Sequence, residues 1–130
     1  MADLVEKELS YKIVGILYDV YNSLGGGYQE KYYQKAIAKE LRENRLAYRE
    51  QLLVPLSYKN ESIGRYFLDF LVEDKIVLEI KSAPKFYARD IKQILSYLNK
   101  TGICLGILAN FNKKDVQIKR VLRGFPIRDN

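Results

Sequence analysis

Asp69, Glu79 and Lys81 are the residues of this chain whose types and spacing best suit chemistry. They lie in Tyr66–Ser82, YFLDFLVEDKIVLEIKS, where alternating apolar residues on either side of Glu73-Asp74-Lys75 predict a β-hairpin. With the turn centred on Asp74, cross-strand partners have numbers summing to 148, twice 74. Asp69 then falls opposite Glu79, and Phe67 opposite Lys81. Residues opposed, or two apart along a strand, share a face, so the three charged groups converge on one side with Phe67, Leu71 and Val77. Leu68, Phe70, Val72, Ile76, Leu78 and Ile80 occupy the other. A slip of one residue would separate the two carboxylates, so this constellation depends on register.

Two carboxylates side by side in a partly buried place repel each other and lose hydration, and they need a cation or a shared proton. A divalent ion held by both leaves coordination positions for water and for a phosphate oxygen, and Lys81 then stabilises the attacking hydroxide or the phosphate charge. The same pattern fits a half-exposed hairpin with a Glu–Lys pair on its wet face, because D-x(n)-E-x-K is short and common by chance.

The flanking elements must hold that hairpin in place. Leu9, Ile13, Leu17, Val20 and Leu24 recur at helical spacing over residues 4–24, with Asp3 as N-cap and Gly25-Gly26-Gly27 as stop. Tyr33, Ile37 and Leu41 mark a second helix over Gln29–Asn44. Strands are predicted over 48–59, 62–72 and 76–81, and a helix over 88–100 ending at Thr101-Gly102. Ile103–Ala109 reads as a buried strand, and 115–122 as a last strand or a strand followed by a short helix. A hairpin series followed by a helical crossover gives an α/β fold, a mixed sheet with helices on its faces. With neither repeats nor linker-like stretches, the 130 residues read as one domain.

Composition narrows the chemistry. The chain has no histidine, which excludes Ser-His-Asp and Cys-His nucleophile systems, HEXXH zinc sites and histidine bases. Its one cysteine, Cys104, excludes an intrachain disulfide and multi-cysteine zinc sites, and within ICLGILA it reads as a small core residue. Carboxylates remain, and these select hard cations such as magnesium, manganese or calcium. The net charge of +6 and pI near 9.3 favour phosphate backbones or anionic surfaces. There is no apolar run of membrane-spanning length and no signal-peptide layout, so the cytoplasm is the expected location.

Several motifs in order carry a family resemblance. Gly27-Tyr28-Gln29-Glu30-Lys31-Tyr32-Tyr33 fits G-x-x-E-x-x-Y between two predicted helices. LVEDKIVLEIKS, QILSYLNKTGICLGILANF and Gln-Ile-Lys-Arg-Val follow. Over roughly residues 9–122 the chain resembles the GxxExxY proteins, a branch of the PD-(D/E)XK nuclease superfamily. The resemblance implies a restriction-endonuclease-like αβββαβ core with Gln29–Asn44 as its first helix and an extra helix before it. It implies that Asp69 and Glu79 bind Mg2+, with Mn2+ as a substitute, and that Lys81 orients or activates water. It also brings Glu30 and Gln93 to the site, with Tyr97 on the Gln93 face of the same helix. Glu30 equally suits the first turn of a helix without any chemistry, Gln93 equally suits an exposed helix position, Tyr33 suits core packing, and Gly27 a special backbone conformation. Asp90 stands where many relatives carry a histidine and adds negative charge. Gly-Gly-Gly stands where relatives often have a proline.

Lys81, Lys85, Arg89 and Lys92 flank the expected site, and Lys113, Lys114, Lys119, Arg120 and Arg123 form a C-terminal basic group. Phe86 and Tyr87 suit either base stacking or capping of the core. The expected activity is metal-dependent hydrolysis of nucleic acid, DNA before RNA, with no membrane partner and a homodimer open as an assembly. A silent nuclease-fold module that binds nucleic acid or a protein is the alternative.

Overall fold

The computed structural model describes residues 5–124. Helix α1 (Lys7–Leu24) buries Ser10, Ile13, Ile16, Leu17 and Val20. Ile16 completes the stripe, while Leu24, expected on it, is exposed at the helix end. Gly25, at φ 72°, closes the helix by donating its amide to the Tyr21 carbonyl. The expected cap Asp3 lies outside the described residues. Helix α2 (Glu30–Glu43) buries Tyr33, Ile37, Ala38 and Leu41.

Strands β1 (Tyr48–Tyr58) and β2 (Glu61–Val72) form a long ribbon closed by Lys59-Asn60, both in the left-handed region that a two-residue hairpin turn requires. Strand β3 (Ile76–Lys81) leads through helix α3 (Ala88–Thr101) to β4 (Leu105–Phe111) and β5 (Val116–Leu122). Strand β5 pairs with β4 from Phe111↔Val116 to Leu105↔Leu122, so of the two forms open for this segment the strand alone is found.

The sheet order is β1-β2-β3-β4-β5, antiparallel except for the parallel β3–β4 pair that α3 connects. This mixed sheet carries α1 and α2 on one face and α3 on the other. Ile13, Leu17, Tyr33, Ile37, Phe70, Leu78, Ile80 and Phe111 fill the first side; Leu52, Val54, Leu68, Leu71, Val77, Ile94, Leu98 and Leu108 fill the second. Because both faces are covered, β3 and β4 are apolar almost throughout. Gly106 lets α3 sit close: a Cβ there would overlap Ile94 Cγ2. Cys104 is not a core residue. It precedes β4 at the sheet's rim, exposed, with Arg123 Nη2 3.7 Å from its sulfur. Of the apolar run, Ile103 is partly buried against the α3-side core and full burial starts at Leu105.

Candidate metal centre and its surroundings

The β2–β3 ladder has the expected register, pairing Phe70↔Leu78, Leu71↔Val77 and Val72↔Ile76. It then stops. Beyond this point β3 continues beside β4 to Lys81↔Asn110, while β2 continues beside β1. The sheet forks, and Asp69 and Glu79 stand where the two strands part. Their side chains supply the partners that the interrupted ladder lacks. The Asp69 amide donates to Glu79 Oε1 at 2.9 Å, and the Ile80 amide donates to Asp69 Oδ2 at 2.8 Å.

The fork corrects part of the expected geometry. Phe67 is not opposite Lys81, since the strands have separated before that level. Strict alternation also breaks at Asp69: Leu68 joins the α3 side with Leu71, whereas Phe70 lies on the α1/α2 side. On β1 the kink coincides with Gln51, whose φ is 57° between the Glu50↔Phe70 and Leu52↔Leu68 pairs. Phe67, expected on a partly buried charged face, points away from α3 and is 46% exposed.

Glu79 is buried, at 4% exposure. Burial, then the charge and side-chain hydrogen bond of Asp69, push its carboxyl up to about 9, outweighing the pull of Lys81. Lys81 Nζ lies 3.6 Å from Glu79 Oε2 and 3.7 Å from Asp90 Oδ1. Burial works to lower the Lys81 ammonium, but Glu79, Asp90, Glu30 and Asp69 together hold it above its ordinary value. Glu30, in the first turn of α2, is raised by burial against the opposing pull of Lys81, with Asp69 and Asp90 adding to the rise. One lysine thus sits among four carboxyl groups, those of Glu79, Asp90, Glu30 and Asp69.

One residue enters the site that the sequence pattern did not assign to it, and Asp90, expected to add negative charge there, takes its place beside Lys81. Gln34 Nε2 donates to Asp69 Oδ1 at 2.9 Å. Its position one turn after Glu30 was the available signal, since residues four apart share a helix face. Asp90, 6% exposed at the start of α3, pairs with Lys81 and lies 3.9 Å from Arg89 Nε. Gln93 follows one turn later, half-buried, with its backbone carbonyl accepting from the Tyr66 hydroxyl at 3.2 Å. Among the described residues no hydrogen bond joins its side chain to Asp69, Glu79 or Lys81. Tyr97 packs against the α3-side core.

Loops brace the opening. Buried Asn110 donates to the Ala83 carbonyl and accepts from the Ala83 amide, both at 2.9 Å, pinning the chain as it leaves β3. Tyr33 stacks on Phe111 at 4.4 Å and donates its hydroxyl to the Gly25 carbonyl, and Ser82 Oγ donates to the Tyr28 carbonyl. Gly27 has φ 96°, a conformation L side chains avoid.

The basic residues do not act as one group. Lys85 and Arg89 flank the Tyr87 ring, and Lys92 is exposed on α3. Lys113 and Lys114 stand exposed in the β4–β5 turn at the site's end of the sheet. Lys119 lies over Phe86, which packs on the α3-side core. Arg120 donates to Ser10 Oγ and to the Val5 carbonyl, fastening α1 to β5, and Arg123 sits at the opposite end beside Cys104.

The sequence pattern of the PD-(D/E)XK nuclease superfamily matches residues 7–121. The chain belongs to that superfamily. Two solved structures carry the same fold as this PD-(D/E)XK protein. SSO0001 superposes with a TM-score of 0.54 at 15% identity, covering 74% of this chain and 50% of its own. The alkaline exonuclease LHK-Exo from Laribacter hongkongensis gives 0.50 at 16% identity, covering 95% of this chain and 72% of its own. This chain therefore spans half the length of SSO0001. No curated protein matches it in sequence. No described helix is long and apolar enough to cross a membrane. Members of the superfamily generally use divalent metals. The donor set here is the two adjacent carboxyl groups of Asp69 and Glu79; among the described residues no group of three or more such ligands is gathered, and a hard cation accepts oxygen ligands of this kind while keeping water for its other positions.

Proposed function

We propose that this PD-(D/E)XK protein is a metal-dependent phosphodiesterase of the GxxExxY branch, acting in the cytoplasm on nucleic acid, DNA before RNA. The observation that carries this reading is the Asp69–Glu79 pair at the sheet fork, with Lys81 Nζ 3.6 Å from Glu79. Asp69 and Glu79 hold the ion, Mg2+ with Mn2+ as substitute. A bound divalent ion lowers the pKa of its water and neutralises phosphate charge. Lys81 orients the attacking water and balances charge on the phosphate. Gln34 fixes the Asp69 carboxylate so that its second oxygen keeps its direction. Glu30 and Gln93, at the mouths of α2 and α3, contact the attacking water or the phosphate. Lys85, Arg89 and Lys92 meet the backbone on the α3 side, with Tyr97 beneath them.

The rival reading, a silent module that binds without cutting, draws on the Lys81–Asp90 pair, because Asp90 competes with a phosphate for the lysine. Calorimetric titration of Mg2+ and Mn2+ into the wild type and an Asp69→Ala/Glu79→Ala variant separates the two. Labelled single- and double-stranded DNA and RNA are followed in the same samples. Binding and cleavage that vanish together in the variant support the enzyme. A wild type that takes up neither ion, even with nucleic acid present, overturns it.

A further inference from the structure

Kinked at Gln51 and Asp69, the β1–β2 ribbon runs on past the helices that cover the rest of its face. Leu52, Val54 and Leu68 turn to the α3-side core, so their neighbours Leu53 and Phe67 face the α1/α2 side. Among the described residues no helix covers them there: Leu53 is 51%, Phe67 46% and Ile63 59% exposed. Leu53 pairs directly with Phe67, and the Arg65 guanidinium lies 5.8 Å from the Phe67 ring centre. This apolar floor begins two residues from Asp69.

On the other side of Asp69 the floor becomes a groove between α2 and the ribbon. Lys31, Gln34, Lys35 and Arg42 line one wall, Glu50 and Gln51 the other, with Asp69 and Phe70 at the base. From Lys31 to Arg42 the helix wall runs about 16 Å. Among the described residues none of these three cations is in an ion pair. Lys31 rests on the Tyr32 ring and Arg42 donates to the Tyr48 hydroxyl. Among the described residues Glu50 is the one acidic residue of the walls.

We propose that this surface is the path of a single strand of nucleic acid, passing over the metal centre. Its bases stack on Phe67 and Leu53, and its phosphates meet Lys31, Lys35 and Arg42. The proposal rests on the phosphodiesterase reading for the place of cleavage but not for binding. An exposed apolar floor carrying one aromatic ring, Phe67, beside cations outside any ion pair suits unstacked bases followed by their backbone. A duplex hides its base faces and can use only the cations. The strand then enters the fork from the α2 side, opposite the Lys85–Arg89–Lys92 surface.

The test is fluorescence anisotropy with a labelled 20-nucleotide DNA, single-stranded and as duplex, in EDTA so that nothing is cut. Phe67→Ala should weaken single-strand binding about tenfold and leave duplex binding unchanged, while Phe67→Tyr binds as wild type. Lys31→Glu/Lys35→Glu should flatten the salt dependence by about 0.7 in slope for each phosphate no longer neutralised. Lys12→Glu/Lys75→Glu, the same charge change at the opposite end of the sheet, should cost far less. Wild-type single-strand binding by Phe67→Ala, or equal losses for strand and duplex, overturns the proposal. So does light scattering that shows a dimer broken by Phe67→Ala with nucleic-acid affinity intact, which would assign the floor to a second copy of the chain. Normal behaviour in EDTA with no cleavage in Mn2+ would keep the track and discard hydrolysis.

Discussion

Asp69 and Glu79 are held through each other's strands: the Asp69 amide donates to Glu79, and Asp69 accepts from the amide that follows Glu79. Each carboxylate is therefore both a candidate ligand and a replacement for a missing ladder bond. Substitution at either position should cost stability as well as chemistry. Asp69→Asn keeps the shape and one acceptor, so it should fold and lose Mn2+ binding in calorimetry. Asp69→Ala leaves the Ile80 amide without its acceptor and should melt earlier, by about 1–3 kcal/mol in denaturant titration.

Glu79 gives a pH signature without metal. Its carboxyl titrates near 9 in the fold against 4.5 ordinarily. Between those values the folded state binds more protons than the unfolded, so this group's stabilising contribution is full below about 4.5 and is lost as pH rises towards 9. The metal-free protein should melt several degrees lower at pH 8.5 than at pH 6, a difference that Glu79→Gln removes. Mn2+ should reverse the trend, because the ion binds the ionised form, and thermal melts with and without it check the sign.

Gln34 holds Asp69 from α2. Gln34→Ala should lower metal affinity about 10–100-fold with little change in melting temperature, as loss of a ligand-orienting partner does. Calorimetry reads the first and thermal melting the second.

Asp90 helps keep the Lys81 ammonium above its ordinary value. Asp90→Asn should move the alkaline limb of a pH–rate profile to lower pH, where Lys81 loses its proton. Lys81→Ala should abolish that limb and cost about 10²–10³-fold in rate. An unchanged limb in Asp90→Asn would detach Asp90 from the lysine's chemistry.

Gly106→Ala pushes Ile94 away from β4 and should destabilise by about 1–3 kcal/mol without altering metal affinity, read by denaturant midpoint and calorimetry. It separates packing of α3 from the chemistry at its N-terminus.

Helical spacing in Ile13, Leu17 and Val20, the Asp74-centred turn and the Thr101-Gly102 stop were local signals, and local periodicity was enough to place the elements and bring Asp69 level with Glu79. Absence of histidine, with a single cysteine, left oxygen ligands as the means of holding a metal. The fork was not legible, because whether β3 stays with β2 or leaves for β4 depends on a partner some thirty residues further along the chain. With it went the exposure of Phe67, the side taken by Leu68 and the hydrogen bond from Gln34. Cys104 looked buried because a run of apolar residues does not reveal where the sheet begins. Arg120 and Lys35 are alike as charges in the sequence; only the tertiary structure ties the first to α1 and leaves the second facing a groove, since what surrounds a cation is set by elements distant along the chain.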